Sequence, residues 1–228
     1  MGAKVLTTLP LGVDFAYDIK YNIKNFNVKT IFDVGANIGE SENYFSKHFN
    51  KSIIYCFEPT KQSFKNLTSN IKGSKTKCFN LGFGENEKMM EIEVYKNPEL
   101  SSFNSFNGPI FENEEKHIEK IEIKTLSNFC YSNHIEKIDI LKIDTEGFDL
   151  EVLKGAVDLL KDNKISLIQV EASMNHENTF HVYFTEFINF LAIYNFEIFA
   201  LHDQILDFKV KKTKLRRVNM SFIHKSLQ

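Results

Sequence analysis

Acidic side chains stand at the ends of three apolar runs of the chain. Glu58, Asp144 and Glu171 each follow such a run directly, and His176 comes a few residues after Glu171. If the runs are parallel strands, their carboxyl ends meet at one edge of a sheet, where such sheets bind ligands. We therefore predict a catalytic group at that edge, with Asp144 as the first candidate for a general base, His176 as the second, and Glu171 beside them. Glu146 either joins this group or caps the helix that follows it.

A glycine-containing loop, DVGANIG at residues 33–39, follows the first apolar run. Glycine lets the backbone come close to a ligand, and the amides at the start of the next helix point towards it. A dinucleotide-binding loop would have glycine in place of Asn37 and Glu40, and the acidic Asp33 would repel a phosphate. The loop fits a ligand without a pyrophosphate, such as S-adenosylmethionine, or else is a structural turn. The predicted contacts of this loop are Asp33, Gly35, Ala36, Asn37, Gly39 and Ser41.

Glu58 has the position of a ribose clamp. It ends the second apolar run, 25 residues after Asp33, and a carboxylate there can accept hydrogen bonds from both ribose hydroxyls. It can also act as a favourable charge at the start of the next helix. The residues after the third run lie where adenine would be contacted. The further predicted cofactor contacts are Glu58, Pro59, Asn80, Leu81 and Asp144.

The elements that must position these residues are strands alternating with helices. Near-continuous apolar runs separated by helical periodicity indicate an α/β fold with a mostly parallel sheet covered on both faces. The runs predict strands at 30–34, 52–57, 77–81, 138–143, 165–170, 196–201 and 221–225. We expect a single domain over 1–228, with a helical lead-in at 1–29. An insertion at 85–135 contributes a hairpin, with strands at 91–95 and 121–124, and a loop at 97–115 over the acceptor side.

Composition limits the partners and the compartment. The 228 residues carry a net charge of -2, which gives no overall attraction to nucleic acid. The three cysteines lack metal-binding or disulfide-framework spacing, which suits a reducing compartment. No signal peptide or membrane span is recognised, so we expect a cytoplasmic protein. The segment 209–217 holds six basic residues and is either a solvated connection or a patch that faces a phosphate-bearing substrate.

Four motifs occur together in one order: DVGANIG, FEP, LKIDTEGFDLEVLKGA and QVE. In this combination the sequence resembles the FkbM-type S-adenosylmethionine-dependent methyltransferases, over about 14–171. The resemblance implies a class I methyltransferase fold, with a mostly parallel seven-stranded sheet, helices on both faces and an antiparallel last strand. The sequence departs mildly from the family motif at 144–147, where it has DTEG in place of the frequent DVEG. The residues that the resemblance assigns to the cofactor are Asp33, Gly35, Asn37, Gly39 and Glu58.

The resulting hypothesis is methyl transfer from S-adenosylmethionine to a sugar hydroxyl, with S-adenosylhomocysteine as the product. The resemblance implies an acceptor in bacterial glycan pathways, either a nucleotide-linked sugar or a glycan precursor in polysaccharide biosynthesis. In one version Asp144 is the base, and in another Asp144 and Glu171 bind Mg²⁺ that orients and acidifies a sugar diol. The alternatives are a methyltransferase for another small molecule or for nucleic acid, a NAD-binding oxidoreductase, and an inactive scaffold.

Overall fold

The computed structural model describes residues 7–95, 116–178, 180–206 and 214–227. The strands in these residues are, in chain order, β1 (Thr30–Val34), β2 (Ile53–Phe57), β3 (Thr76–Phe79), β4 (Gly82–Phe83), β5 (Lys88–Tyr95), β6 (Lys116–Lys124), β7 (Ile138–Ile143), β8 (Ile165–Ser173), β9 (Phe196–Leu206) and β10 (Leu215–His224). The α-helices are α1 (Phe15–Asn22), α2 (Glu40–His48), α3 (Lys61–Asn70), α4 (Leu126–Ser132), α5 (Asp149–Lys154), α6 (Val157–Lys161) and α7 (Phe184–Ala192). Among the described helices, each is too short or too polar to cross a membrane.

A seven-stranded sheet organises the fold, in the strand order β3-β2-β1-β7-β8-β10-β9. The strands from β3 to β8 in this order are parallel, and β10 runs antiparallel to both of its neighbours. The predicted mostly parallel sheet with an antiparallel last strand is therefore confirmed.

The central strands lie in the interior because helices cover both faces of the sheet. Every residue of β7 and of β8 is buried. Neighbouring strand residues point to opposite faces. Ile140 therefore packs with α1, α2 and α3 on one face, whereas Leu141 packs with α4 to α7 on the other.

A second, smaller sheet contains β4, β6 and β5, in that order. β5 and β6 pair antiparallel over their whole length, from Lys88 opposite Ile123 to Tyr95 opposite Lys116. β5 begins three residues and β6 five residues before the predicted strands, because the pairing between them continues where the sequence does not alternate strictly. The predicted acceptor-side loop at 97–115 lies outside the described residues.

The predicted lead-in contains α1, which is tied to the far edge of the sheet. Asp14 caps the helix by accepting a hydrogen bond from the Tyr17 N–H at 2.6 Å. The carboxylate of Asp18 accepts from the Gly12 N–H at 2.7 Å and lies 2.9 Å from Nε2 of His202 on β9. Asp18 and His202 are both buried, and their contact fixes α1 to the end of the sheet at which β1 and β8 carry their acids. The predicted boundaries of the lead-in at 29 and of the insertion at 85 and 135 stay predictions.

β9 and β10 extend well beyond the predicted strands at 196–201 and 221–225. Their outer halves contain several polar residues, including Asp203 and Arg217, and they are held by antiparallel pairing with each other and with β8. Hydrogen bonds between neighbouring strands hold these residues in the strands, so the strands continue where the sequence has no apolar pattern. As a result Arg216 and Arg217, at the end of the basic segment, belong to the sheet. The residues at 207–213 lie outside the described part of the chain.

Candidate active site

Two cavities open at the carboxyl edge of the parallel strands. The first is a cleft lined by Val34, Gly35, Asn37, Phe57, Glu58, Pro59, Thr60, Ser63, Gly82, Ile92, Asp144, Thr145 and Glu146. The second, of about 340 Å³, is lined by Val13, Asp14, Phe15, Glu40, Ser41, Tyr44, Phe45, Lys142, Asp144, Gln169, His202, Asp203 and Asn219. Asp144 lines both, so the two cavities meet at this side chain.

The loop after β1 lies directly against the tips of β2 and β7. The N–H groups of Gly35 and Ala36 both donate to the carbonyl of Phe57 at 3.0 Å. Gly35 has a φ of +80°, and a Cβ on it would lie 1.9 Å from the carbonyl oxygen of Asp144. Glycine is therefore required here for the close approach of two strand ends. The neighbouring Ala36 is buried in the α1–α3 core, and Gly39, the N-cap residue before α2, has a φ of +95°.

Glu58 forms the acidic wall of the cleft and is itself held in place. One carboxylate oxygen accepts hydrogen bonds from the N–H and the hydroxyl of Thr60 at 2.9 and 2.7 Å. The other accepts from the Asn37 N–H at 3.1 Å. Burial raises the pKa of Glu58, while these donors act against that shift. Its carboxylate is thus fixed towards the cleft with acceptor capacity remaining.

The residues predicted to contact adenine have structural roles in the described chain. The side-chain amide of Asn80 donates to the carbonyls of Glu58 and Pro59 at 2.9 and 2.8 Å. Leu81 is buried in the core on the α4–α7 face. The adjacent Gly82 lines the cleft. Asn80 therefore shapes the tip of β2 on which Glu58 stands.

A buried lysine connects the acids of β1 and β7. The ammonium of Lys142 lies 3.1 Å from Asp144 and 3.6 Å from Asp33. Asp33 is wholly buried, and burial raises its pKa despite the lysine. Burial acts in the same direction on Asp144 and is the largest single influence, but the charge and the hydrogen bond of Lys142, together with the nearby Arg217, outweigh it and lower the pKa of Asp144. Lys142 thus keeps the acid that both cavities share ionised.

A second group of charges lies beyond Asp144, at the ends of β8 and β10. Arg217 contacts one carboxylate oxygen of Glu171, and Nδ1 of His181 lies 3.2 Å from the other. Glu146 reaches the same group from the loop after β7, where its φ is +51°. Burial and the nearby Asp144 raise the pKa of Glu146 to about 7, and burial lowers the pKa of His181 to about 4. His181 is therefore neutral at physiological pH.

His181, and not His176, is the histidine that the fold brings to Glu171. His176 is exposed in a turn, where its ring contacts Tyr183. The chain folds back after this turn, because the Ser173 N–H donates to the carbonyl of Val182 at 2.8 Å. His176 was predicted because it lies closer to Glu171 in the sequence, whereas the return of the chain that brings His181 to Glu171 could not be recognised from the sequence.

Asp149, behind the site at the start of α5, makes stability depend on pH. Its side chain accepts a hydrogen bond from the Thr145 hydroxyl at 3.0 Å, and burial, aided by the Asp144 charge, raises its pKa to about 7. In the unfolded chain its pKa is about 3.9, so between these values only the folded state holds the proton. Stability is then lost as the pH rises through this window, by about 1.4 kcal/mol per pH unit.

We expect the Asp149→Asn variant to lack this dependence. From pH 5 to pH 7 its stability in urea should rise relative to the wild type by about 2 kcal/mol, because the slope falls off as the pH reaches the folded-state pKa. Asp158→Asn, at an exposed position on α6, is the matched control and should run parallel to the wild type. A constant difference between Asp149→Asn and the wild type across this range would contradict the shifted pKa.

The fold and the site together define a class of protein. The sheet order with its antiparallel last strand, the glycine loop after β1 and the acid after β2 are those of the class I S-adenosylmethionine-dependent methyltransferases. A profile of the Methyltransferase FkbM domain matches residues 33–198, which is most of the chain. The chain therefore belongs to the FkbM methyltransferase family, as the motifs predicted.

Similar proteins are known from several organisms. Hexuronic acid methyltransferase AglP of Haloferax volcanii is 27% identical over 147 residues, which cover 64% of this chain and 57% of AglP. Methyltransferase 1 of Beauveria bassiana is 26% identical over 146 residues, which cover 56% of this chain and 58% of that protein. The chain thus spans little more than half the length of these curated relatives.

Solved structures align with the fold at low sequence identity. The precorrin-6y C5,15-methyltransferase of Geobacter metallireducens has a TM-score of 0.49 and 12% identity, over 89% of this chain and 83% of that chain. The fibrillarin pre-rRNA processing protein of Methanococcus jannaschii has a TM-score of 0.48 and 14% identity, over 87% and 67%. The family assignment comes from the sequence match.

Proposed function

We propose that this chain transfers a methyl group from S-adenosylmethionine to a hydroxyl oxygen of a sugar. The observation that carries the proposal is the position of Asp144, which lines both the cleft with its fixed ribose-type clamp, Glu58, and the second cavity, and which lies near the charged side chains of Glu146 and Arg217. The first feature suits an adenosyl cofactor, and the second suits a polar acceptor with several hydroxyls.

The residues of the two cavities fit the cofactor. Asn37 lines the cleft, and its buried Oδ1 has no hydrogen-bond partner among the described residues, so it can accept one from a ligand. In this proposal Glu58 holds the ribose, Pro59 and Ile92 cover the adenine, and Ser41 faces the methionine end in the second cavity. S-adenosylmethionine would supply an activated methyl group on a positively charged sulfur, so the chain need not provide a nucleophile.

The chain must instead position the acceptor and take up its proton. Asp144 is the proposed proton acceptor because it lies where the cofactor cleft meets the second cavity. The methyl group would pass to the acceptor oxygen as the hydroxyl proton passes to this carboxylate, and such general-base assistance contributes about 10²–10⁴-fold to a rate. Glu171 would help to bind the acceptor. His176 is exposed and has no part in this proposal.

Two observations support a sugar as the acceptor: the charged side chains near Asp144 and the similarity of the sequence to AglP. Carboxylates and a guanidinium together suit the hydroxyl groups of a carbohydrate, and AglP is named as a hexuronic acid methyltransferase. In the nucleotide-linked version, Arg216 and Arg217 would lie nearest to the diphosphate. The lysines of this segment, at 209, 211 and 212, fall outside the described residues.

The direct test is a methylation assay with purified protein, S-adenosylmethionine and a panel of free and nucleotide-linked hexoses and hexuronic acids. We expect a mass gain of one methylene on a sugar, and the product should survive mild alkali because a methyl ether resists hydrolysis. An alkali-labile product would place the methyl group on a carboxylate and overturn the hydroxyl assignment. Methylation of RNA or DNA in place of sugars would overturn the acceptor class.

Glu58→Gln is expected to weaken cofactor binding. The amide would place a donor among the N–H groups of Asn37 and Thr60 and would lose the charge that the ribose hydroxyls meet. Hydrogen bonds to charged groups contribute about 1.5–3 kcal/mol, so calorimetry should show affinity for S-adenosylhomocysteine falling about 10- to 100-fold. Glu136→Gln, at an exposed position, should bind as the wild type does. If Glu58→Gln bound S-adenosylhomocysteine as tightly as the wild type, Glu58 would not be the residue that holds the ribose.

A further inference from the structure

Three side chains from separate parts of the chain converge beyond Asp144, and we call them the acid–imidazole cluster: Glu146, Glu171 and His181. One ligand-type atom from each lies within 4.8 Å of the other two. Glu146 comes from the loop after β7, Glu171 from β8, and His181 from the segment that folds back along β8. The cluster is thus assembled by the fold.

Two atoms of this cluster are buried without hydrogen bonds. Oε2 of Glu171 and Nδ1 of His181 have no hydrogen-bond partner in the described residues, and the two residues are only 4% and 5% exposed. Their 3.2 Å separation lacks the geometry of a hydrogen bond. Arg217 contacts the other oxygen of Glu171 and leaves Oε2 facing the imidazole. Buried polar atoms in native proteins nearly always have a partner, so these two atoms indicate a missing ligand.

We propose that the acid–imidazole cluster binds one divalent metal ion. Two ligands about 2.1 Å from an octahedral ion and at right angles to each other lie roughly 3 Å apart, close to the separation of Glu171 Oε2 and His181 Nδ1. Carboxylates suit Mg²⁺ and Mn²⁺, whereas imidazole suits the transition metals, so the mixed donor set favours Mn²⁺ or a similar ion. This ligand set differs from the predicted pair Asp144 and Glu171. Asp144 is paired with Lys142 instead.

The cluster offers three protein ligands, so an octahedral ion held there would have coordination positions left for other ligands. If the proposed function holds, two neighbouring sugar oxygens would fill them, and the ion would orient the diol and make its hydroxyl more acidic. Only this role for the ion depends on the proposed function, because metal binding itself requires neither cofactor nor acceptor.

The test is a titration of the chelator-treated full chain with MnCl₂, followed by calorimetry and by the electron paramagnetic resonance signal of free Mn²⁺. We expect one saturable site per chain. Loss of a metal ligand should weaken binding at least about tenfold, so Glu171→Gln and His181→Asn should each show this loss. The matched controls are Glu177→Gln and His134→Asn, both at exposed positions, and they should keep the wild-type affinity.

Two results would overturn the site: no saturable Mn²⁺ binding by the wild type, or equal affinity in the wild type and both cluster variants. Circular dichroism checks that the variants are folded. If they are not, the wild-type titration alone still shows whether the chain has a saturable Mn²⁺ site. A parallel titration with S-adenosylhomocysteine separates the two proposals. Mn²⁺ binding without cofactor binding would refute the proposed function alone, and the reverse would refute the metal site alone.

Discussion

Replacing Lys142 with methionine is expected to remove about 3–5 kcal/mol of folding stability. Its ammonium lies between Asp33 and Asp144 in the buried centre of the sheet, and its side chain is only 10% exposed. Removing it leaves Asp33, which has no contact with solvent, without a counter-charge, whereas Asp144 keeps the nearby charge of Arg217. The loss exceeds that of an ordinary surface ion pair, because uncompensated charge in the interior is far more costly than charge in water.

Urea denaturation of Lys142→Met measures this loss, and Lys161→Met, at an exposed position on α6, is the control. The double variant Asp33→Asn with Lys142→Met should recover part of the stability, since it removes the stranded charge of Asp33. A loss below about 1 kcal/mol in Lys142→Met, or no recovery in the double variant, would mean that Lys142 does not hold the two acids.

The acids at the carboxyl edge of the sheet could be predicted from the sequence because parallel strands all run in the same direction. Once the runs ending before Glu58, Asp144 and Glu171 were assigned to one parallel sheet, their acids had to lie along one edge. The structure has all three there, at the ends of β2, β7 and β8. The direction of a strand was enough, and no knowledge of side-chain packing was needed.

Residues that depend on the return of the chain could not be predicted in this way. His181 reaches Glu171 through a fold-back to which the hydrogen bond from the Ser173 N–H to the Val182 carbonyl contributes, and Arg217 reaches it through antiparallel pairing of β10 with β8. The Asp18–His202 contact joins residues 184 positions apart. Lys142 did leave a signal, because a lysine in a central buried strand requires a charged partner. Its position on one face of β7 could have indicated Asp33 and Asp144.

Gly35→Ala is expected to abolish useful cofactor binding. The added Cβ would lie 1.9 Å from the carbonyl oxygen of Asp144, which is backbone and cannot rotate away, and the φ of +80° disfavours any residue with a side chain. The left-handed backbone costs about 1–2 kcal/mol and the overlap about 1–3 kcal/mol more. The tips of β1 and β7 must separate to relieve it, which displaces Asn37 and Asp144 together, so we expect affinity for S-adenosylhomocysteine to fall at least about 100-fold.

Gly73→Ala is the matched control for this substitution. A Cβ on Gly73 would lie 3.7 Å from the Thr76 hydroxyl, an ordinary contact, so stability should change by less than about 1 kcal/mol and cofactor affinity should be kept. The result that would contradict the argument is a Gly35→Ala protein with the wild-type affinity. The loop after β1 would then tolerate a wider gap between the strand tips, and the close approach of Gly35 to Asp144 would not be what forms the cleft.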